Sequence, residues 1–343
     1  MLIGLCLLAG CRHAPLQSPE VRASDAAWRQ QNHIWRGVHL FVQNDSAVEG
    51  LIEAMPKYAS AGVNVFVIEV NYSFEFESHP ELRAKNYVTL AQARRLAEAA
   101  RRQGIRLIPE LDCLSHQSWQ HRNLPLLDRH PDWMEPLDES TDKEGAALHC
   151  WCPLHPSVNP VVFQLIDELA GAFGATAFHV GMDEAFCIAS PLCPRCRGRD
   201  PARVFAKAVT DLHGHIVGRR KMEMLMWGDR LLDSKALGYS KWEASRNGTA
   251  GAIDLIPKDI IICDWHYEKQ ETYPSVGLLL EKGLRVWPSG WQPLDASRAF
   301  SRFARKQRNP GVLGYLCTTW GKANTRTAAD WPPVLEVLQE WKP

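Results

Sequence analysis

The chain of 343 residues carries 39 Lys plus Arg against 39 Asp plus Glu, and 45% of its residues are hydrophobic. That charge balance excludes the basic excess expected of a nucleic-acid or anionic-lipid binder, and the length supplies one large core or two small ones. The 13 Trp suit stacking on the C–H faces of sugars as well as core packing, and the 10 Cys are too irregularly spaced for a repeated disulfide scaffold.

The first eleven residues form an apolar run ending Leu8-Ala9-Gly10-Cys11. The run is too short to span a bilayer as a helix. Small residues before a cysteine resemble a bacterial lipoprotein processing box, and cleavage there would leave Cys11 to carry the lipid. The expectation is a signal peptide over 1–11, a tether over 12–30 and a lipid-anchored protein of the cell envelope. No Lys or Arg precedes the run, and without export the chain would be cytoplasmic.

From Arg36 the pattern is regular. Strand candidates at 36–42, 63–70 and 105–112 are separated by helical stretches at 46–61 and 89–103, the second ending at Gly104. A long aromatic, Pro-rich loop runs to about residue 156, and a helix over 157–173 leads into Phe178-His179-Val180-Gly181-Met182-Asp183-Glu184. Further strands are expected at 224–229, 260–265, 284–288 and 311–320, with helices at 201–217, 275–282, 296–307 and 328–341. Eight strands alternating with helices read as a single (β/α)8 TIM barrel with long βα loops over 31–343. A doubly wound open sheet is the alternative.

The polar residues concentrate at one end of these strands. Arg36 stands at a strand start, but Asp112, the Asp183-Glu184 pair, Asp229, Tyr267 and Trp320 sit at or just past C-terminal ends, the rim that holds barrel active sites. Where a strand ends, the alternation of side chains relaxes, and two consecutive acids can reach one pocket. Two carboxyls that close resist ionising together, and a protonated acid beside an ionised one is the equipment for cleaving a glycosidic bond. The plain alternative is a solvated pair with helix-cap duty.

These residues resemble glycoside hydrolase family 20, the β-N-acetylhexosaminidases, and within it the compact members similar to hexosaminidase D. The likeness runs through Arg36-Gly37, Pro109-Glu110-Leu111-Asp112 with His116, Cys152-Pro153, His179-x-Gly181-x-Asp183-Glu184, Trp227-x-Asp229, Trp265 and Trp320. It implies an exo-acting, retaining enzyme in which the 2-acetamido oxygen of the substrate attacks the anomeric carbon to form an oxazolinium intermediate. Glu184 would be the general acid and base, and Asp183 would accept the acetamido N–H. Arg36 would hold sugar hydroxyls, and Asp112, His116, His179 and Asp229 would complete the polar site. Trp227, Trp265 and Trp320 would wall the sugar. The seventh strand lacks the tyrosine that many members use on the acetamido oxygen, and Tyr267 is the candidate for that task. Met182 stands in place of the motif's second glycine, and Trp320-Gly321 replaces a Trp-x-Glu element. The implied partner is a glycan bearing N-acetylhexosamine, with no cofactor and no catalytic metal.

Other functions compete. A retaining glycosidase could use Glu110 or Asp229 as a protein nucleophile, and a sugar-binding surface lipoprotein could sit on an inactive barrel. A metal-dependent amidohydrolase fits less well, because the first strand carries one histidine, His39, rather than a spaced pair. Separately, Cys193-Pro194-Arg195-Cys196 has zinc-knuckle spacing, with Cys150-Trp151-Cys152 and Cys187 as further candidates. Export favours a disulfide among Cys187, Cys193 and Cys196; free thiols and structural zinc are the alternatives.

Overall fold

The computed structural model describes residues 17–137 and 148–342. The expected leader, Cys11 and the first part of the expected tether lie outside these residues. Eight parallel strands close into a barrel: β1 (Trp35–Phe41), β2 (Val65–Glu69), β3 (Arg106–Cys113), β4 (Ala177–Gly181), β5 (Glu223–Trp227), β6 (Ile261–Trp265), β7 (Arg285–Gly290) and β8 (Gly314–Thr318). Each strand pairs with its neighbour in sequence, and β8 closes on β1 from Trp35 opposite Gly314 to His39 opposite Thr318. This is the (β/α)8 barrel, not an open doubly wound sheet.

Parallel neighbours need crossovers, and helices such as Asp45–Ser60, Leu90–Arg102, Val158–Ala172 and Leu294–Lys306 supply them on the outside. Asn44 and Thr89 cap the first two through side-chain oxygens. With helices on one side and the barrel interior on the other, all five residues of β2 are buried, which explains its continuous apolar run.

Strand alternation sorts the interior into layers. β1 sends Trp35 and His39 inward, while Val38 and Leu40 join the core beneath the helices. The base layer is apolar, with Trp35, Val65, Ile261 and Trp287 among its members. Gly37 is required there, because a Cβ would stand 2.2 Å from the Trp287 ring. Above it lies a buried polar layer of His39, Glu69, Glu110 and His179.

Two expectations are corrected. The tether from Pro19 onward is instead a helix, Pro19–Gln31, with Ser18 as its cap and Pro19 in its first turn. Its Trp28 meets Trp35 edge-on at 5.7 Å, and the indole N–H donates to the Gly104 carbonyl at 3.0 Å. Asp25 and Arg29 join Arg106 and Glu223 in an ion network across the barrel base. Burial opposes the Glu223 charge, but Arg106, Arg29 and Arg285 hold its carboxyl down to about 2. A mostly polar stretch therefore docks through one tryptophan and complementary charge. The helix expected over 328–341 is a series of short turns, Thr327–Asp330, Pro333–Val337 and Leu338–Trp341. Pro332 and Pro333 lack the N–H groups a continuous helix needs. Among the described residues no helix is long and apolar enough to cross a membrane.

Docking of the first helix predicts that Trp28→Ala costs about 3 kcal/mol of stability in denaturant unfolding. A loss below about 0.5 kcal/mol would mean that the segment behaves as a surface strand of chain without anchoring contacts.

Candidate active site

At the C-terminal mouth of the barrel a cavity of about 580 Å³ opens between the strand ends. Trp227, Trp265, Tyr267, Trp291 and Trp320 form its apolar walls, and Glu69, Asn71, Asp112, His116, Asp183 and Glu184 bring polar atoms to it. Trp265 stacks on Tyr267 with centroids 4.9 Å apart, and the Trp320 indole N–H donates to the Tyr267 hydroxyl at 2.7 Å. Aromatic faces are thereby fixed before any ligand arrives.

The paired acids emerge from β4 through a strained turn. Gly181, Met182 and Glu184 all lie in the left-handed region, at φ values of +62°, +72° and +50°. At Gly181 a Cβ would approach Asp112 Oδ1 to 2.6 Å, so glycine is needed for strand β4 to pass β3. Each non-glycine residue in this region costs on the order of 1 kcal/mol, and neighbours must hold it. Asp229 accepts the Glu184 backbone N–H at 2.9 Å, and the Ser115 hydroxyl donates to the Asp183 carbonyl. His116, itself at φ +53°, places Nε2 3.4 Å from Asp183 Oδ2 and 3.3 Å from Glu184 Oε2. Burial disfavours its cation, but the two carboxylates raise His116 well above its usual range. Asp183 Oδ1 has no hydrogen-bond partner among the described residues.

Beneath the cavity, Glu110 is saturated. Its Oε1 accepts from the Trp227 indole at 3.0 Å and lies 2.7 Å from His179 Nδ1, and its Oε2 accepts from His39 Nε2 at 3.0 Å. Burial works against that charge, yet the two histidines hold Glu110 far below the carboxylate range. His39 is pushed the other way, up to about 10, because Glu110 and Glu69 outweigh its desolvation. Asn71 bridges Glu69 and Asp112 at 2.8 and 2.9 Å. Burial, then the charges of Glu69 and Glu110, push Asp112 well above its usual value.

Of the expected site residues, Asp112, His116, Asp183, Glu184, Trp227, Trp265, Tyr267 and Trp320 line the cavity together. Arg36 does not. It sits on the outward parity of β1 at the barrel base, where its Nε donates to the Gly62 carbonyl at 2.6 Å. His179 and Asp229 are buried and do not line the cavity, His179 within β4 and Asp229 just past the end of β5. Asp229 has both oxygens occupied, by the Glu184 amide, by Arg230 Nε at 2.6 Å and by the Trp265 indole at 3.3 Å. Burial raises Asp229 to about 6. Glu69, Asn71, Trp119 and Trp291 were missed by sequence reasoning. Glu69 ends the apolar run of β2, the same signal that singled out Asp112. Trp119 lies on a small hairpin, Ser118–Trp119 against Arg122–Asn123, inside the long loop after β3.

The cysteines also depart from expectation. All eight described cysteines are buried, and no disulfide joins Cys187, Cys193 and Cys196. Cys187 Sγ faces the carbonyls of Glu135 and Pro136 at 3.6 and 3.4 Å.

The His39 shift carries a sign. Its folded value lies above the unfolded value of about 6.5, so its contribution to stability is complete below that pH and disappears as pH climbs toward about 10. Thermal stability should fall across that window, and His39→Gln, less stable at neutral pH, should fall less. Parallel curves for the two proteins would contradict the assignment.

The catalytic-domain model of glycosyl hydrolase family 20 matches residues 38–293. A curated relative, the beta-hexosaminidase of Vibrio furnissii, is 23% identical over 207 residues, covering 59% of this chain and 30% of its own length. The chain thus spans under a third of that relative. The solved chitobiase of Flavobacterium johnsoniae superposes with a TM-score of 0.64 at 17% identity, over 89% of this chain and 47% of its own. A beta-N-acetylhexosaminidase from Bacteroides fragilis gives 0.62 at 15% identity, over 89% and 65%. Dispersin B gives 0.56 at 16%, over 88% of this chain and 98% of its own. With the family model spanning most of the barrel, from β1 to the end of β7, the chain belongs to glycosyl hydrolase family 20.

Proposed function

We propose that the chain is an exo-acting β-N-acetylhexosaminidase that cleaves terminal N-acetyl-β-hexosaminides with retention, using the substrate's own acetamido group as nucleophile. The observation that carries this reading is the unpartnered Asp183 Oδ1 beside Glu184 in a tryptophan-walled cavity. A buried carboxylate oxygen left without a partner is costly, and an amide N–H from a ligand would satisfy it.

In the first step the acetamido oxygen forms a bond to the anomeric carbon, the glycosidic C–O bond breaks, and Glu184 gives its proton to the departing oxygen. Asp183 holds the acetamido N–H and offsets the positive charge of the oxazolinium ring. The nucleophile is already part of the bound sugar, so orienting it replaces a bimolecular encounter. In the second step Glu184 takes a proton from water as the water oxygen bonds to the anomeric carbon and the oxazolinium C–O bond opens. His116 lies 3.3 Å away and, despite burial, is raised well above its usual range by the two carboxylates, which suits it to offset the charge of Glu184 while that group is ionised. The Tyr267 hydroxyl accepts from the Trp320 indole and also bonds the Thr318 side chain, and on substrate binding its O–H would turn from Thr318 to the acetamido oxygen. Glu69, Asn71 and Asp112 are suited to the sugar hydroxyls, the task first expected of Arg36.

The rival with a protein nucleophile loses its candidates. Glu110 and Asp229 are buried with both carboxylate oxygens occupied, which argues against either as the group that attacks a bound sugar. The inactive sugar-binding reading fits an intact acid pair poorly, since binding alone gains nothing from the strained backbone at Met182 and Glu184. A lipid anchor at Cys11 remains part of the proposal, tested by mass spectrometry of the mature N-terminus.

Aryl N-acetyl-β-hexosaminides should be hydrolysed, the corresponding plain β-glucosides should not, and a thiazoline mimic of the cyclic intermediate should inhibit. Asp183→Asn should lose about 10²-fold or more in kcat, comparable to removing one transition-state partner. Equal turnover of plain glucosides would end the proposal. Trp119, 64% exposed at the mouth, offers a face for the sugar beyond the scissile bond. Trp119→Ala should raise KM for an N-acetylated disaccharide several-fold with little change in kcat.

A further inference from the structure

We propose that Glu135, Cys152, Cys193 and Cys196 form a structural zinc site that ties the loop after β3 to the loop after β4. Their ligand atoms, one carboxylate oxygen and three sulfurs, all lie within 4.8 Å of one another, and all four residues are buried. Cys152 Sγ stands 3.3 Å from Cys196 Sγ and 3.5 Å from Cys193 Sγ. Zinc–thiolate bonds of about 2.3 Å in a tetrahedron set sulfurs about 3.8 Å apart. The sulfurs therefore need to part by only a few tenths of an ångström to admit the ion.

A second observation points to the same ligand. Glu135 Oε1 accepts the Ser190 amide at 2.7 Å, whereas Oε2 is fully enclosed and has no hydrogen-bond partner. Hydrogen bonds within the protein leave that oxygen unsatisfied, and a cation among the three sulfurs would satisfy it. Three soft thiolates with one carboxylate select zinc over the oxygen-loving magnesium and calcium.

Both ligand pairs sit on backbone that is already shaped. On one side the Glu135 amide donates to the Cys150 carbonyl at 2.8 Å and the Cys152 amide to the Trp133 carbonyl at 2.7 Å. On the other, Arg197 N donates to Cys193 O and Arg199 N to Cys196 O, both at 3.0 Å, which turns the Cys-x-x-Cys segment so that both sulfurs face inward. Pairing two sulfurs in a disulfide would strand the third and would leave Glu135 Oε2 unsatisfied. None of the four residues lines the cavity; the site would fasten the segment that leads away from Glu184 to the loop that carries His116.

The test uses the full chain, purified with zinc present and dialysed against metal-free buffer, with metal content read by mass spectrometry. About one zinc per chain is expected in the unmutated protein and in Cys187→Ala, whose sulfur faces carbonyls instead. Cys152→Ser, Cys193→Ser, Cys196→Ser and Glu135→Gln should lose most of it. Since these variants could fail to fold, the unmutated protein is also loaded with cobalt, where sulfur-to-cobalt charge transfer with tetrahedral ligand-field bands is expected. Zinc-free protein with freely reactive thiols, a Cys152–Cys196 or Cys152–Cys193 disulfide in the unreduced chain, or an octahedral cobalt spectrum would overturn the proposal. None of these readouts depends on sugar hydrolysis.

Discussion

A carboxylate at the axis of a closed barrel has no solvent to stabilise it, and that constraint shapes everything above it. Glu110 stays ionised because His39, His179 and the Trp227 indole occupy its oxygens. Burying such a charge alone would cost far more than the chain's net stability, so the partners are obligatory. Satisfying Glu110 also orients Trp227, which becomes the floor of the cavity. The polar layer thus carries a structural duty that reads in sequence like a catalytic one.

The same economy governs the mouth. Glu184 and Met182 adopt backbone conformations that cost energy, and fixed contacts from Asp229 and Ser115 hold them there. Asp229 is itself anchored by Arg230, whose Nη2 donates to the carbonyls of Lys241, Trp242 and Ala244. A chain of bonds therefore runs from the loop after β5 to the amide of Glu184. Strain of this kind keeps a side chain aimed at a cavity without the cavity being filled.

The two ends of the barrel divide the labour. At the base, the helix Pro19–Gln31 closes the interior with Trp28 and an ion network around Glu223. At the mouth, long loops carry His116, Trp119 and the cysteine cluster. The base contributes stability through burial and charge pairing. The mouth spends part of it on strained turns and acids held side by side.

The order of strands, their closure into a barrel and the rim bearing Asp112, Asp183, Glu184 and Trp320 were legible in the sequence, because period and strand-end chemistry are local properties. Which way a residue points from a strand was not. Arg36 and His39 are three positions apart on β1, yet one faces Gly62 outside the base and the other meets Glu110 inside. That parity is decided when β1 zips between β2 and β8, with Trp287 claiming the space inside Gly37. Likewise no spacing rule joins Glu135 to Cys152 and Cys193, or sets Asp229 against the Glu184 amide. The sequence determined the elements and the chemistry available at their ends; only closure of the barrel decided which of those groups share a cavity and which neutralise one another beneath it, because burial and charge pairing act between residues far apart in the chain.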